Sequence, residues 1–207
     1  MNISFTTLDV TEYYLPFDDL SELFGNKKRT ALEVGVGEGD FLIEMSRREK
    51  DWNFIGIEIR GKRFRKAVKR SERDNLRNIK FLLMDAKVAI EDVFSSNSFD
   101  LVYINFPDPW PKERHRKHRL ITPKFLARIS NIMKPLAALE IASDHEDYLS
   151  HILEVFQNIE GFKNELPAPG YVNNLPDRPM TKYETEFRHE GRDIYYLRFI
   201  NLIEQNP

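Results

Sequence analysis

The chain of 207 residues contains no cysteine. That absence excludes disulfides, thiolate metal sites and a cysteine nucleophile, and it fits a reducing compartment. No apolar run approaches the roughly 20 residues that a membrane-spanning helix needs. Residues 1–10 show no basic start followed by an apolar stretch. Neither a membrane segment nor a signal peptide is expected, and the chain reads as cytoplasmic. Neither sign of charge is in large excess: 31 Lys+Arg against 33 Asp+Glu leave a formal −2. The whole chain is therefore no magnet for a polyanion, and only local patches can act as one. Internal repeats, low-complexity segments and linkers are missing too. That argues for one domain over 1–207, with 1–29 as a lead-in.

What is present is an alternation of short apolar runs and amphipathic stretches. Runs at 30–34, 53–59, 79–84, 99–104 and 137–142 read as strands. Helical spacing marks 41–48, 61–73, 122–133 and 146–159, with shorter helices at 18–24 and from Asp85-Ala86 to Phe94. Thr122 followed by Pro123 is a helix start. Strand and helix in turn predict a parallel sheet covered on both faces. The tail departs from this. A sixth strand is expected at 162–166, a long irregular segment at 167–192, and a last strand at 193–202. Little room is left for a crossover helix, so the last strand is placed antiparallel. The fold class is α/β: a seven-stranded, mostly parallel, doubly wound sheet with an antiparallel last strand.

Three strand ends carry site-like residues. The first feeds glycines at 35, 37 and 39, where the backbone can turn sharply and approach a ligand closely. The spacing differs from the G-x-G-x-x-G of dinucleotide enzymes. Glu58 ends the second strand, where a carboxylate can accept both hydroxyls of a ribose. Asp85 follows the third, in reach of an adenine amino group. Together they mark a crevice at the carboxyl edge of the sheet, the usual ligand site of open α/β folds.

The fourth strand delivers Asn105-Phe106-Pro107-Asp108-Pro109-Trp110-Pro111 and then Lys112, Arg114, His115, Arg116, Lys117, His118 and Arg119. Three prolines forbid a helix and stiffen the loop. A fixed carboxylate, an aromatic plane and a cationic apron suit a held base with its phosphates gripped. Taken singly, each residue also has an ordinary reading. Asp108 between prolines is a turn-former, Trp110 packs on proline rings, and the cations are solvated. His115 and His118 lack a third ligand at zinc spacing, so no metal is expected.

Glu33-x-Gly35-x-Gly37-x-Gly39, then Glu58, then Asp85-Ala86, resembles the class I S-adenosylmethionine-dependent methyltransferases. The loop 106–117 and the later Thr181-Lys182-Tyr183-Glu184 look like those of the bacterial tRNA (guanine-N7-)-methyltransferases, which modify a guanosine in the tRNA variable loop. The likeness runs from about residue 30 to about 200. It implies a Rossmann-like methyltransferase fold, S-adenosyl-L-methionine as cofactor and tRNA as partner, in a monomer or homodimer. It also implies a cofactor site of Glu33, Gly35, Gly37, Gly39, Glu58, Asp85, Ala86 and Asp108, with Asp108 catalytic. Substrate contacts are implied for Lys112, Asp144, Thr181, Lys182, Tyr183 and Glu184; taken alone, Asp144 can equally be a helix N-cap and 181–184 a surface turn. Two departures stand out. Lys134-Pro135-Leu136-Ala137-Ala138 occupies a place where such enzymes usually carry glycines after the proline, and Asp85 one where asparagine is common. Rival readings are a nucleotide-binding oxidoreductase, a non-catalytic RNA-binding module and a methyltransferase acting on an exocyclic amine.

Overall fold

The computed structural model describes residues 6–7, 17 and 19–203. Seven strands form one sheet: β1 (Arg29–Val34), β2 (Trp52–Glu58), β3 (Ile79–Leu83), β4 (Phe99–Asn105), β5 (Met133–Ser143), β6 (Phe162–Asn164) and β7 (Tyr195–Asn201). Their order is β3-β2-β1-β4-β5-β7-β6. The first five pair in parallel, while β7 runs antiparallel to β5 and β6. The central strands are apolar on both sides because both faces are covered. In β1, for example, Ala31 and Leu32 are both fully buried, one in each of the two cores.

Helices α2 (Asp40–Arg48) and α3 (Gly61–Arg73) cover one face with Phe41, Leu42, Ile43, Phe64 and Ala67. On the other face lie α4 (Ala86–Asp92), α5 (Pro123–Ile132) and α6 (Glu146–Gln157), contributing Ile90, Phe125, Ile129, Tyr148 and Ile152. Each large apolar side chain so buried contributes roughly 1.5–3 kcal/mol. The short α1 (Ser21–Phe24) ends on Gly25, whose φ of 66° closes it in the left-handed region. It is shorter than the expected 18–24, and residue 18 lies outside the described residues. Asp19 instead accepts from the backbone N–H of Ser21 at 2.8 Å. The lead-in is tied to the rest of the chain at two points: Thr7 bridges Phe81 of β3, and Phe17 bridges Phe94 beyond α4.

Two other expectations need correction. The tail 167–192 is not irregular throughout, because α7 (Lys182–His189) lies within it. Thr181 caps that helix by accepting from the N–H of Glu184 at 2.9 Å. Threonine with glutamate three residues on is a helix-start signature, here in a stretch with little apolar periodicity. The sixth strand is also shorter than expected, ending at Asn164, where the side chain accepts from the N–H of Leu166 and turns the chain.

The fifth strand begins without a loop, straight from α5 at Met133. Its register against β4 slips between Phe99 and Leu101, so that 134–137 bulge outward. Pro135 has no N–H to offer a ladder and is tolerated in such a bulge. Leu136 is 73% exposed with φ of 63°. This is a glycine-like backbone at a position filled by leucine.

Candidate active site

The strand order reverses direction between β1 and β4, and the carboxyl ends of strands at such a reversal are where open α/β sheets bind ligands. Beyond β1 the chain turns through residues 35–39. The N–H groups of Gly35 and Val36 both donate to the carbonyl of Ile57 at 2.9 Å, fixing the turn on β2. Gly37 has φ of 61°, and a Cβ placed there would meet nothing within 4 Å. The space beside its backbone is open. Gly39 differs: a Cβ there would lie 2.8 Å from Ile43 Cδ1 and 3.0 Å from Ala67 Cβ. It allows α2 to pack on α3.

Glu58 is 5% exposed, and its carboxylate accepts from the N–H of Gly37 at 2.9 Å and of Arg60 at 2.7 Å. A carboxylate offers about four acceptor sites, so capacity for hydroxyl donors remains. Asp85 is exposed and caps α4, accepting from the N–H of Lys87 at 2.8 Å, with Ala86 opening the helix. The N–H of Met84 donates to the carbonyl of Glu58 at 3.2 Å, which joins the two acidic strand ends.

From β4 the loop leaves under backbone constraint. Phe106 and Trp110 both hold positive φ, 49° and 44°. Such values are strained for bulky residues and cluster at functional sites. The N–H of Phe106 donates to the carbonyl of Ala142 at 2.8 Å, so the loop starts against the end of β5. Asp108 is exposed and makes no hydrogen bond or ion pair among the described residues. Trp110 clusters with His115 and His118, at ring distances of 5.9 and 5.3 Å, and the two imidazoles lie 6.3 Å apart.

The basic run coils into a 3-10 helix over Glu113–His118. Its cations are not equivalent. Lys112, Arg114 and Lys117 are exposed and form no ion pair among the described residues. Arg116 pairs with Asp147 at 2.8 Å and Glu113 at 3.1 Å. Arg119, read from sequence as part of the cationic apron, is 2% exposed and cannot serve there. Its Nε donates to the carbonyl of Pro109 at 2.9 Å, its guanidinium pairs with Asp147, and it lies over the Tyr148 ring at 5.0 Å. It anchors the loop to α6. On α3, the second basic run is partly neutralised by Lys66–Glu38 at 2.5 Å and Arg70–Asp40 at 2.6 Å.

The predicted substrate residues fall into two groups. Asp144 does not cap α6, since His145 holds that position; it pairs with Arg192 at 2.8 Å. Arg192 in turn lies 4.6 Å over the ring of Phe187 on α7, which meets Phe106 edge-on at 5.6 Å. Asp144, α7 and the loop therefore share one neighbourhood. Within 181–184, Lys182 and Tyr183 are exposed, and the Tyr183 hydroxyl accepts from Arg63 at 2.6 Å. Thr181 and Glu184 turn inward. Glu184 is 1% exposed and accepts from Arg188 at 3.0 Å and from the Tyr196 hydroxyl.

Glu33 is 2% exposed and accepts from Asn105 Nδ2 at 2.8 Å. Burial pushes its carboxyl up to about 8, opposed by the Asn105 hydrogen bond and the nearby Arg178. Neither Asn105 nor Arg178 stands out in the sequence as a site residue. Asn105 is a recognisable strand-end polar group, but Arg178 carries no local pattern. Among the described residues no three His, Asp or Glu side chains are placed to hold a metal, and no helix is long and apolar enough to cross a membrane.

The geometry is matched by sequence relationships. The "Putative methyltransferase" family matches residues 27–197. A tRNA (guanine-N(7)-)-methyltransferase of Nitrosomonas europaea is 38% identical over 183 residues, covering 87% of this chain and 81% of its own. One from Thermotoga maritima is 34% identical over 179 residues, covering 86% of this chain; the match spans 56% of that longer relative. Among solved structures, a SAM dependent methyltransferase from Aquifex aeolicus superposes with a TM-score of 0.57 at 16% identity, over 89% of this chain and 88% of that one. At that identity the likeness is one of fold. The sequence match starts just before β1, takes in the glycine turn and the whole proline-stiffened loop, and ends within β7, so the chain belongs to the tRNA (guanine-N(7)-)-methyltransferase family.

Proposed function

We propose that this protein transfers a methyl group from S-adenosylmethionine to N7 of a guanine in tRNA, at a guanosine of the variable loop. The observation that carries the reading is the Asn105–Glu33 hydrogen bond, because it joins the loop bearing Asp108 to the strand that opens the glycine turn. The open space at Gly37 and the spare acceptor capacity of Glu58 fit the cofactor. Glu58 would take the ribose hydroxyls, Asp85 and Ala86 the adenine, and Glu33, Gly35 and Gly37 would flank the rest, with Gly39 supporting the turn from behind. Bound there, the cofactor supplies an electrophilic methyl on a sulfonium.

Guanine N7 is an in-plane lone pair with no proton to lose, so no general base is required. Orientation and charge complementarity carry the rate. Asp108 holds the base and favours the positive charge that develops on the ring. Trp110, exposed beside two imidazoles, offers a stacking face, and stacking on a base contributes roughly 1–3 kcal/mol. Lys112, Arg114 and Lys117 meet phosphates. Lys182, Tyr183 and Asp144 border the substrate from α7 and the end of β5, while Thr181 and Glu184 shape that border from within. The whole chain, 1–207, acts as one catalytic domain, as a monomer or homodimer in the cytoplasm. Purified protein incubated with labelled cofactor and bulk tRNA should yield 7-methylguanosine on nucleoside mass spectrometry. A methylated exocyclic amine, or no labelled tRNA, rejects the reading.

A further inference from the structure

The irregular chain between β6 and α7 places one arginine in the interior. Arg178 has a side chain only 7% exposed, and its guanidinium lies 4.4 Å over the Phe41 ring and 5.1 Å over Tyr196. One terminal nitrogen donates to Asn105 Oδ1. The other stands 3.8 Å from a Glu184 oxygen, and Nε stands 3.7 Å from Glu140. Asn105 spends its amide on both sides, accepting from Arg178 and donating to Glu33. Five elements thus meet at one planar cation, the end of β4, the interior of β5, the start of β7, the start of α2 and the first turn of α7, and Asn105 joins the end of β1 to them.

Stability does not explain an arginine here. Desolvating a guanidinium costs several kcal/mol, and an apolar side chain would also fill the gap between Phe41 and Tyr196. Nε and Nη1 of Arg178, Glu33 Oε2 and Glu184 Oε2 are all buried without a hydrogen-bond partner. What a guanidinium adds is a rigid fork with fixed donor directions. The parts it connects are those the proposed chemistry needs in register. Asn105 opens the loop that carries Asp108, and Glu184 sits in the helix that presents Lys182 and Tyr183. The apolar contact of Phe106 with Phe187 joins the same two segments at a second point, but edge contact of two rings does not fix direction.

We infer that Arg178 is a positioning residue: its buried guanidinium sets the Asp108 loop and the start of α7 at a fixed distance from the cofactor strand. This rests on the methyl-transfer reading above. It assigns Arg178 no contact with either substrate.

The test compares Arg178→Lys, which keeps the charge without the fork, with Arg178→Met, which keeps only bulk. Both should lower kcat by about 10- to 100-fold, the scale on which small misplacements act. Equilibrium binding of S-adenosylmethionine should stay within about threefold of the parent, well below that loss. Amide hydrogen exchange should quicken in both 105–112 and 181–189. Melting curves show whether each variant is folded at the assay temperature. If Arg178→Met is not, Arg178→Lys alone decides. A folded variant with kcat within about twofold of the parent, or with exchange in the two segments unchanged, overturns the inference. Should the parent protein prove not to methylate tRNA, the proposed function fails, while the exchange measurement still decides whether Arg178 couples the two segments.

Discussion

The side-chain amide of Asn105 donates to Glu33 across 2.8 Å, between the last residue of β4 and a buried carboxyl on β1. β1 and β4 are neighbours in the sheet, with Glu33 directly opposite Tyr103, so the bond spans adjacent strand ends. Burial outweighs it: the Glu33 carboxyl is pushed up to about 8, from an ordinary value of 4.5. Glu33 therefore keeps its proton at neutral pH in the folded protein.

A stability profile follows. Below pH 4.5 the carboxyl is protonated folded or unfolded and contributes nothing to the difference. Between 4.5 and about 8 the unfolded chain sheds a proton that the folded one retains, so stability falls as pH rises. Glu33→Gln removes that loss. Its melting temperature relative to the parent should be clearly more favourable at pH 8 than at pH 5. An equal difference at the two pH values would show that Glu33 titrates normally.

Asp108→Asn should remove most methyl transfer, at least about 100-fold, with cofactor binding by calorimetry largely kept. The side chain is exposed, and among the described residues the substitution breaks no hydrogen bond or ion pair. Turnover near the parent's would refute the role given to the carboxylate.

The two basic runs should separate under salt. Lys112, Arg114 and Lys117 form no ion pair among the described residues, whereas Lys66 and Arg70 on α3 are already answered by Glu38 and Asp40. Changing the first three to alanine should weaken tRNA binding. The slope of log affinity against log salt should flatten by about 0.7–0.9 per lost phosphate contact. Arg65→Ala, Lys66→Ala and Lys69→Ala together should do less. A larger loss from the helix variant would move the RNA to α3.

Leu136→Gly should stabilise the protein by about 0.5–1 kcal/mol in urea denaturation, because glycine adopts the observed φ of 63° without a Cβ penalty. The leucine is largely in water, so little packing is lost. A destabilised variant would mean that the side chain has a partner or that the bulge is held differently.

The strands and large helices were legible because burial on two faces writes long apolar runs and 3.6-residue stripes into the chain. The placement of Glu58 and Asp85 was legible because both lie at strand ends, which sequence locates well. Two kinds of feature were not. Helix α7 is short and mostly polar, and its signal was the Thr181–Glu184 cap rather than periodicity. Arg119 looks like its neighbours in a basic run, and only tertiary contact with Asp147 and Tyr148 separates an anchor from a solvated cation. Arg178 is illegible for the same reason: its partners lie on five other elements.

The position of β7 has a consequence for how the chain is made. Among the described residues it is the last strand in sequence, yet it lies between β5 and β6 in the sheet. Until residues 195–201 leave the ribosome, β5 shows an open edge from Ala138 to Ser143, and β6 has no strand to join. An exposed apolar edge invites pairing with another chain. In the middle of that edge stands Glu140, which in the finished sheet is met by Arg198 of β7 at 2.8 Å. During synthesis the same carboxylate stands on the growing edge before Arg198 is made, with Arg178, 3.7 Å away in the finished fold, as the earlier cation beside it. It guards against a stranger's strand until the arginine on the right one arrives.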